Sequence, residues 1–236
     1  MSGCGYFTGW KGIYKMIIDL HNHSTWSRDG SDTMEALVEN AIQNGIDVIG
    51  VSDHNYWIGK EHLAEYRQAV YDLREKYKGN IKVLCGIEYS LINTAEIEPE
   101  ELDEFDYCLF EYYNHVISTE EMMRIRNRTK CPAGIAHLDG FALSESEGVD
   151  VIKLWSENDV FWELNMNKDE IHGYSEHQYC KNLMSLPEQQ QHIKKCGIKL
   201  SVGFDTHMLK DYDVNRIKSA CDFIENNGFS YPEFVF

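Results

Sequence analysis

The 236-residue sequence is short of basic side chains: 22 Lys and Arg stand against 39 Asp and Glu, a formal net charge of −17. A chain of that sign has no footprint for an extended phosphate backbone, which excludes a protein that tracks nucleic acid. Proline is scarce, with 4 residues, and the 7 cysteines (Cys4, Cys85, Cys108, Cys131, Cys180, Cys196 and Cys221) are odd in number and form no C-x-x-C pair. A disulfide framework is therefore excluded, and the cysteines read as reduced, mostly buried small side chains. No stretch approaches the roughly 18–20 uninterrupted apolar residues of a membrane helix, and residues 1–15 lack the basic start and apolar run of a signal peptide. The expectation is a cytoplasmic protein with no membrane partner. The G-x-G-x-x-G and G-x-x-x-x-G-K-[ST] signatures are also missing after every predicted strand, which removes the usual arguments for dinucleotide binding and for a P-loop.

What is present suffices for a large core. The composition is 43% hydrophobic and 26% charged, which fits a folded chain and excludes wholesale disorder. Residues 16–236 read as one domain. Residues 1–15, with three glycines between Gly3 and Gly9, read as a loose leader, so that Met1 and Met16 are both possible starts.

Strand-like apolar runs occur at 16–20, 46–51, 81–87, 107–110, 133–136, 160–164 and 199–204, seven in all. Between them the spacing predicts helices. The clearest follows Thr33, with Met34, Leu37, Val38, Ala41 and Ile42 on one face and Gly45 as a stop. Others are predicted at 60–78, 119–128, 149–156, 187–196 and 214–226. Strands alternating with helices imply right-handed β-α-β units and a parallel sheet.

The histidines collect at one place in that pattern. His21, His23, His54, His137 and His207 each sit at or just beyond the end of a predicted strand, with Asp53, Glu88 and Asp205 beside them. In a parallel barrel the C-terminal strand ends converge on one pocket. His21 and His23 are two apart and so share a face, as do Asp205 and His207, and Glu88 adds a carboxylate able to bridge two cations. His62, His172, His177 and His192 lie in helical or loop contexts and read as surface residues. A set rich in imidazole and carboxylate, with no cysteine donor, suits two or three divalent ions (Zn, Mn or Fe) in a catalytic centre. Such ions can hold a hydroxide nucleophilic at neutral pH and clamp phosphate oxygens, so hydrolysis is the natural chemistry.

The segments Asp19-Leu20-His21-Asn22-His23-Ser24, Val51-Ser52-Asp53-His54-Asn55, Gly86-Ile87-Glu88, Ile135-Ala136-His137 and Gly203-Phe204-Asp205-Thr206-His207, in that order and with Ser27-Arg28-Asp29-Gly30 after the first, resemble the polymerase and histidinol phosphatase (PHP) superfamily. The resemblance implies a distorted seven-stranded (β/α)7 TIM-like barrel with a trinuclear metal centre. By motif it implies that His21, His23, Glu88 and Asp205 hold one metal. Glu88 would bridge to a second held by His115 and His137, and Asp29, His54 and His207 would hold a third. Asp53 is either a partner that fixes an imidazole or a proton donor to the leaving group, and a metal-held water or His207 is the other candidate acid.

Hydrolysis of a small phosphate monoester is the leading activity, because several metals neutralise a dianionic phosphate better than they would serve a neutral amide. The partner is then a small phosphorylated metabolite. Arg28, Lys168 and Lys210 lie near the expected barrel mouth, and Arg126 belongs to the one basic run, Arg124 to Lys130; these are candidate grips on phosphate oxygens, against the plainer reading of solvated surface. A nuclease-like activity on nucleotide ends and a metal-binding module without turnover are the alternatives. The long loops 93–104 and 167–179 are expected to set specificity, the second as a lid, and the aromatic tail 229–236 is expected to dock back on the barrel.

Overall fold

Seven parallel strands stand in simple chain order around the core, each joined to its neighbour by a parallel ladder. The structure, a computed structural model, describes residues 15–113 and 117–236; residues 1–14 of the expected leader, and His115, lie outside the described residues. The strands are β1 (Ile18–Asp19), β2 (Val48–Val51), β3 (Lys82–Ser90), β4 (Tyr107–Glu111), β5 (Ala133–Ile135), β6 (Val160–Asn165) and β7 (Leu200–Gly203). All seven fall on the runs read from the sequence. The helices are α1 (Met34–Asn44), α2 (Asn55–Ile58), α3 (Leu63–Lys76), α4 (Thr119–Arg126), α5 (Gly140–Glu147), α6 (Val151–Glu157), α7 (Gln178–Ser185), α8 (Pro187–Cys196) and α9 (Val214–Asn226).

The sheet closes nearly to a barrel. Between β7 and β1, Leu20 N donates to Val202 O at 2.8 Å and Asp205 N donates to His21 O at 2.7 Å. The seam thus continues beyond the strands to the C-terminal edge, where His21 and Asp205 are brought side by side. Tyr107 lies across the interior, its hydroxyl donating to Leu20 O at 2.5 Å. Gly50 and Gly86 make room for it, since a Cβ on them would lie 1.9 Å and 2.2 Å from the Tyr107 side chain. Phe234 stacks on the same ring at 5.3 Å, and Lys82 Nζ donates to Phe234 O at 3.0 Å. The tail therefore docks against the starts of β3 and β4, at the end of the barrel opposite the histidines.

Local rules account for most boundaries. Thr33 Oγ1 accepts from Ala36 N at the start of α1, and Gly45 ends it at φ 71°, a conformation glycine adopts without penalty. Three helices were not expected. α5, sequence GFALSESE, has no apolar stripe and forms because Asp139 accepts from Phe141 N and Ala142 N at its start. α2 is a single turn, too short for periodicity to register, and α7 opens at Gln178, inside a segment read as loop. Among the described residues no helix is long and apolar enough to cross a membrane.

Candidate metal centre

The C-terminal strand ends and the turn after His23 bring eight of the nine expected ligands into one largely buried cluster; the ninth, His115, lies outside the described residues. The two histidines after β1 turn to the same side, as their two-residue spacing requires, with His21 Nε2 and His23 Nε2 3.1 Å apart. Glu88, wholly buried within β3, stands at the centre. Its Oε2 lies 3.2 Å from His21 Nε2, 3.3 Å from His23 Nε2 and 3.0 Å from His54 Nδ1, and its Oε1 lies 2.9 Å from His137 Nε2. Asp205 Oδ1 is 3.1 Å from His23 Nε2. On the other side of His23, its ring stacks on His54 at 4.4 Å and on His207 at 4.5 Å. Asp29 Oδ2 approaches His54 Nε2 at 3.4 Å and His207 Nε2 at 3.9 Å. The carboxylate and imidazole atoms form overlapping donor groups: His21, His23 and Glu88; His23, Asp29, His54 and His207; His54, Glu88 and Glu111.

These contacts suit cations better than they suit one another. Glu88 Oε2 has three imidazole nitrogens around it yet no partner in hydrogen-bond geometry, and His23 Nδ1 is buried without one. His21 Nε2 meets His23 Nε2 at 3.1 Å and His137 Nε2 meets Glu88 Oε1 at 2.9 Å, and this crowding of imidazole and carboxylate donor atoms is the arrangement of a ligand set. The cavity above, about 440 Å³, is lined by Asp29, Glu88, Glu111 and Asp205 among others, and among the described residues by no Lys or Arg. Charge follows the same logic. Burial pushes His23 down to about 3, so its ring is neutral. Burial alone would raise Glu88, but His21, His54 and His137 hold its carboxyl well below the usual range. Burial would likewise lower His137, but its bond to Glu88 prevails and brings it up to about 9. Without metal, protons therefore occupy part of the space that cations would fill.

Several residues that arrange the cluster were not read from the sequence. Glu163 Oε1 accepts from His21 Nδ1 at 2.7 Å, which turns Nε2 toward the centre. Its Oε2 accepts from His137 N at 2.9 Å. Asn165, two residues on and so on the same face, donates to both Glu163 Oε2 and Asp205 Oδ2 at 3.2 Å. The signal available was an acid and an amide alternating in the otherwise apolar strand VFWELN. Glu111 ends β4 within 3.2 Å of His54 Nδ1, and burial pushes it up to about 7. His207 Nδ1 donates to Asp205 O at 3.0 Å; a carbonyl can only accept, so the proton of the neutral ring sits on Nδ1 and Nε2 is turned toward Asp29. His137 and Asp205 both hold positive φ, 31° and 57°, strain that the surrounding contacts must sustain.

Other expected residues are placed differently. Asp53 does not line the cavity; its carboxylate accepts from Ser24 N at 2.7 Å, Ser24 Oγ at 2.8 Å and Ser27 N at 3.1 Å. None of Arg28, Arg126, Lys168 and Lys210 lines the cavity either. Arg28 sits 4.5 Å over the Trp57 ring, Arg126 Nη1 donates to Thr129 O, Lys168 faces Glu176 at 3.7 Å and Lys210 pairs with Glu170. Two histidines read as surface also line the cavity, the exposed His172 and the half-buried His177. His172 Nδ1 bonds Asp169 Oδ1 at 2.8 Å, a partner hidden to the sequence reading because it comes from the same loop and not from a strand end.

Gly203 marks how tightly the cluster is built. A Cβ there would lie 2.3 Å from Glu163 Oε1 and 2.4 Å from His21 Cβ. Gly203→Ala is expected to displace the Glu163–His21 pair. The expected result is a fall in phosphate release of about 10–100-fold, with a loss of roughly 1–3 kcal/mol in denaturant unfolding.

Comparison with known proteins agrees with this geometry. The model of the PHP domain family matches residues 19–157, more than half of the chain and the span that carries His21 to His137. The chain belongs to the PHP domain family. A PHP relative from Acetivibrio thermocellus, named "Probable phosphatase", is 23% identical over 222 residues, covering 89% of this chain and 87% of its own length. A second "Probable phosphatase", from Clostridium acetobutylicum, is 26% identical over 208 residues, covering 82% and 80%. The crystal structure of histidinol phosphate phosphatase from Lactococcus lactis, complexed with zinc, L-histidinol and phosphate, superposes with a TM-score of 0.60 at 20% identity over 91% of this chain and 95% of that one. At that identity the superposition speaks for a shared barrel fold.

Proposed function

We propose that this PHP protein hydrolyses a small phosphate monoester in the cavity above Glu88, using two or three divalent cations of the Zn, Mn or Fe class. At the level of class the chain is a metal-dependent phosphatase, as family membership, the named relatives and the His/carboxylate clusters all support. The observation that carries the finer reading is the cavity lining, which among the described residues has four carboxylates and no Lys or Arg. A phosphate dianion entering such a space would be repelled unless cations stood at the converging imidazoles.

In this reading His21, His23, Glu88 and Asp205 hold one cation, Glu88 and His137 help to hold a second, and Asp29, His54 and His207 a third. Bound cations supply positive charge to the phosphate oxygens and lower the pKa of water into the neutral range. The protein's own residues do the rest. Glu163 fixes the His21 tautomer and, through the His137 amide, the bend that turns His137 inward. Asp53 ties down the Ser24–Ser27 turn that leads to Asp29. Tyr56, Tyr112, Leu138 and Ile171 form the wall against which the organic part of the substrate packs.

Protein purified without chelators is expected to carry about two or three equivalents of metal by elemental analysis and to release phosphate from members of a monoester panel. Chelation should abolish release, and added Mn or Zn should restore it. Protein that stays metal-poor after incubation with excess Mn or Zn, and releases no phosphate, would overturn the proposal.

A further inference from the structure

A second group of metal-type donors lies away from the barrel mouth. His192 and Cys196 are i and i+4 on α8 and so share one face, and Asp150, the residue that caps α6, points at the same place. His192 Nε2 is 3.2 Å from Asp150 Oδ1 and 3.5 Å from Cys196 Sγ, and the three donor atoms lie within 4.8 Å of one another. None of the three lines the catalytic cavity.

The arrangement excludes a nucleophilic triad. There the acid must hold one ring nitrogen while the other faces the thiol, whereas here Asp150 and Cys196 both address Nε2. Burial and the nearby Asp150 carboxylate also hold the Cys196 thiol above its ordinary range, so it is not a free thiolate. The separations match something else. With Zn–N and Zn–O bonds of about 2.0–2.2 Å and a Zn–S bond of about 2.3 Å, a tetrahedron has N···O edges of about 3.4 Å and N···S edges of about 3.6 Å.

We infer that Asp150, His192 and Cys196 form a second, separate zinc site, with three protein donors and a fourth position open to solvent. All three residues are half-buried, so an ion can reach them and keep a water. Binding would release the thiol proton to solvent. The ring of His192 is steadied by the edge of Phe141 at 5.6 Å, and Ser156 Oγ donates to Cys196 O at 2.7 Å. The ion would therefore clamp the start of α6 to the last turn of α8, a contact already prepared by these bonds.

Cobalt tests the site independently of the catalytic centre, because none of the expected catalytic ligands is a cysteine and only a thiolate produces the sulfur-to-cobalt charge-transfer band. Titration of the full-length protein with Co²⁺ should produce that band, and Zn²⁺ in excess of the catalytic sites should bleach it. Cys196→Ser should abolish the band and His192→Ala should weaken cobalt binding by at least about tenfold, while phosphate release stays at the wild-type level in both. Cys4→Ser should keep the band. No band under saturating cobalt, or a band retained in Cys196→Ser or lost in Cys4→Ser, would overturn the assignment.

Discussion

Glu88→Gln is expected to cut phosphate release by about 10³-fold or more, a loss of about 4 kcal/mol in transition-state stabilisation. The reason is position. One carboxylate oxygen faces His21, His23 and His54, and the other faces His137. Glu163 also spans His21 and His137, but it reaches the second only through the backbone amide. A glutamine of the same shape removes the negative charge that would bridge cations and turns an amide N–H₂ toward ring nitrogens that need a lone pair or a metal. Metal content should fall in parallel, which separates loss of ligands from loss of substrate binding. A Glu88→Gln protein that keeps full metal and activity within tenfold of wild type would sink the proposed centre.

Asp53→Ala is expected to destabilise the fold by about 3 kcal/mol, because it strands the buried Ser24 amide and hydroxyl and removes one of the two acceptors of Ser27 N, the other being Ser24 O. For a chain of this length that is a fall in melting temperature of roughly 6–12 °C. The Ser24–Ser27 turn would loosen, and Asp29 with it, so phosphate release should drop as well. Asp53→Asn separates the two roles considered for this residue. If Asp53 were the proton donor, the amide would remove one limb of the pH–rate profile and spare stability. A positioning role predicts the opposite: a lower melting temperature and an unchanged profile shape, read by calorimetry and by phosphate release across pH.

Much of this was open to a reader of the sequence. Each strand is an apolar run bounded by polar turns, and burial on both faces of a parallel sheet demands such runs. The strand-end histidines and acids are exposed to sequence reading for a related reason: nothing in a core requires His-x-His after the first strand or Asp-x-His after the last. Chemistry therefore stands out against packing. The surface cations did not follow that logic. Lys168 and Lys210 each lie near a carboxylate that the loops bring close, Glu176 and Glu170, and such pairing depends on loop shape.

The sequence by itself determined the order and number of the strands, the edge on which imidazoles and carboxylates gather, and hence the class of chemistry, because strand periodicity and donor type are local properties. Only the tertiary structure decided that Glu163 and Asn165 hold the cluster in place, that Glu111, His172 and His177 join its walls, and that Asp53 is spent on a turn. It also decided that Asp150 meets His192 and Cys196 across two helices. Each of these depends on atoms far apart in the chain meeting within a few ångströms, and that distance is set by the closure of the barrel and the packing of helices around it, not by any residue's neighbours in sequence.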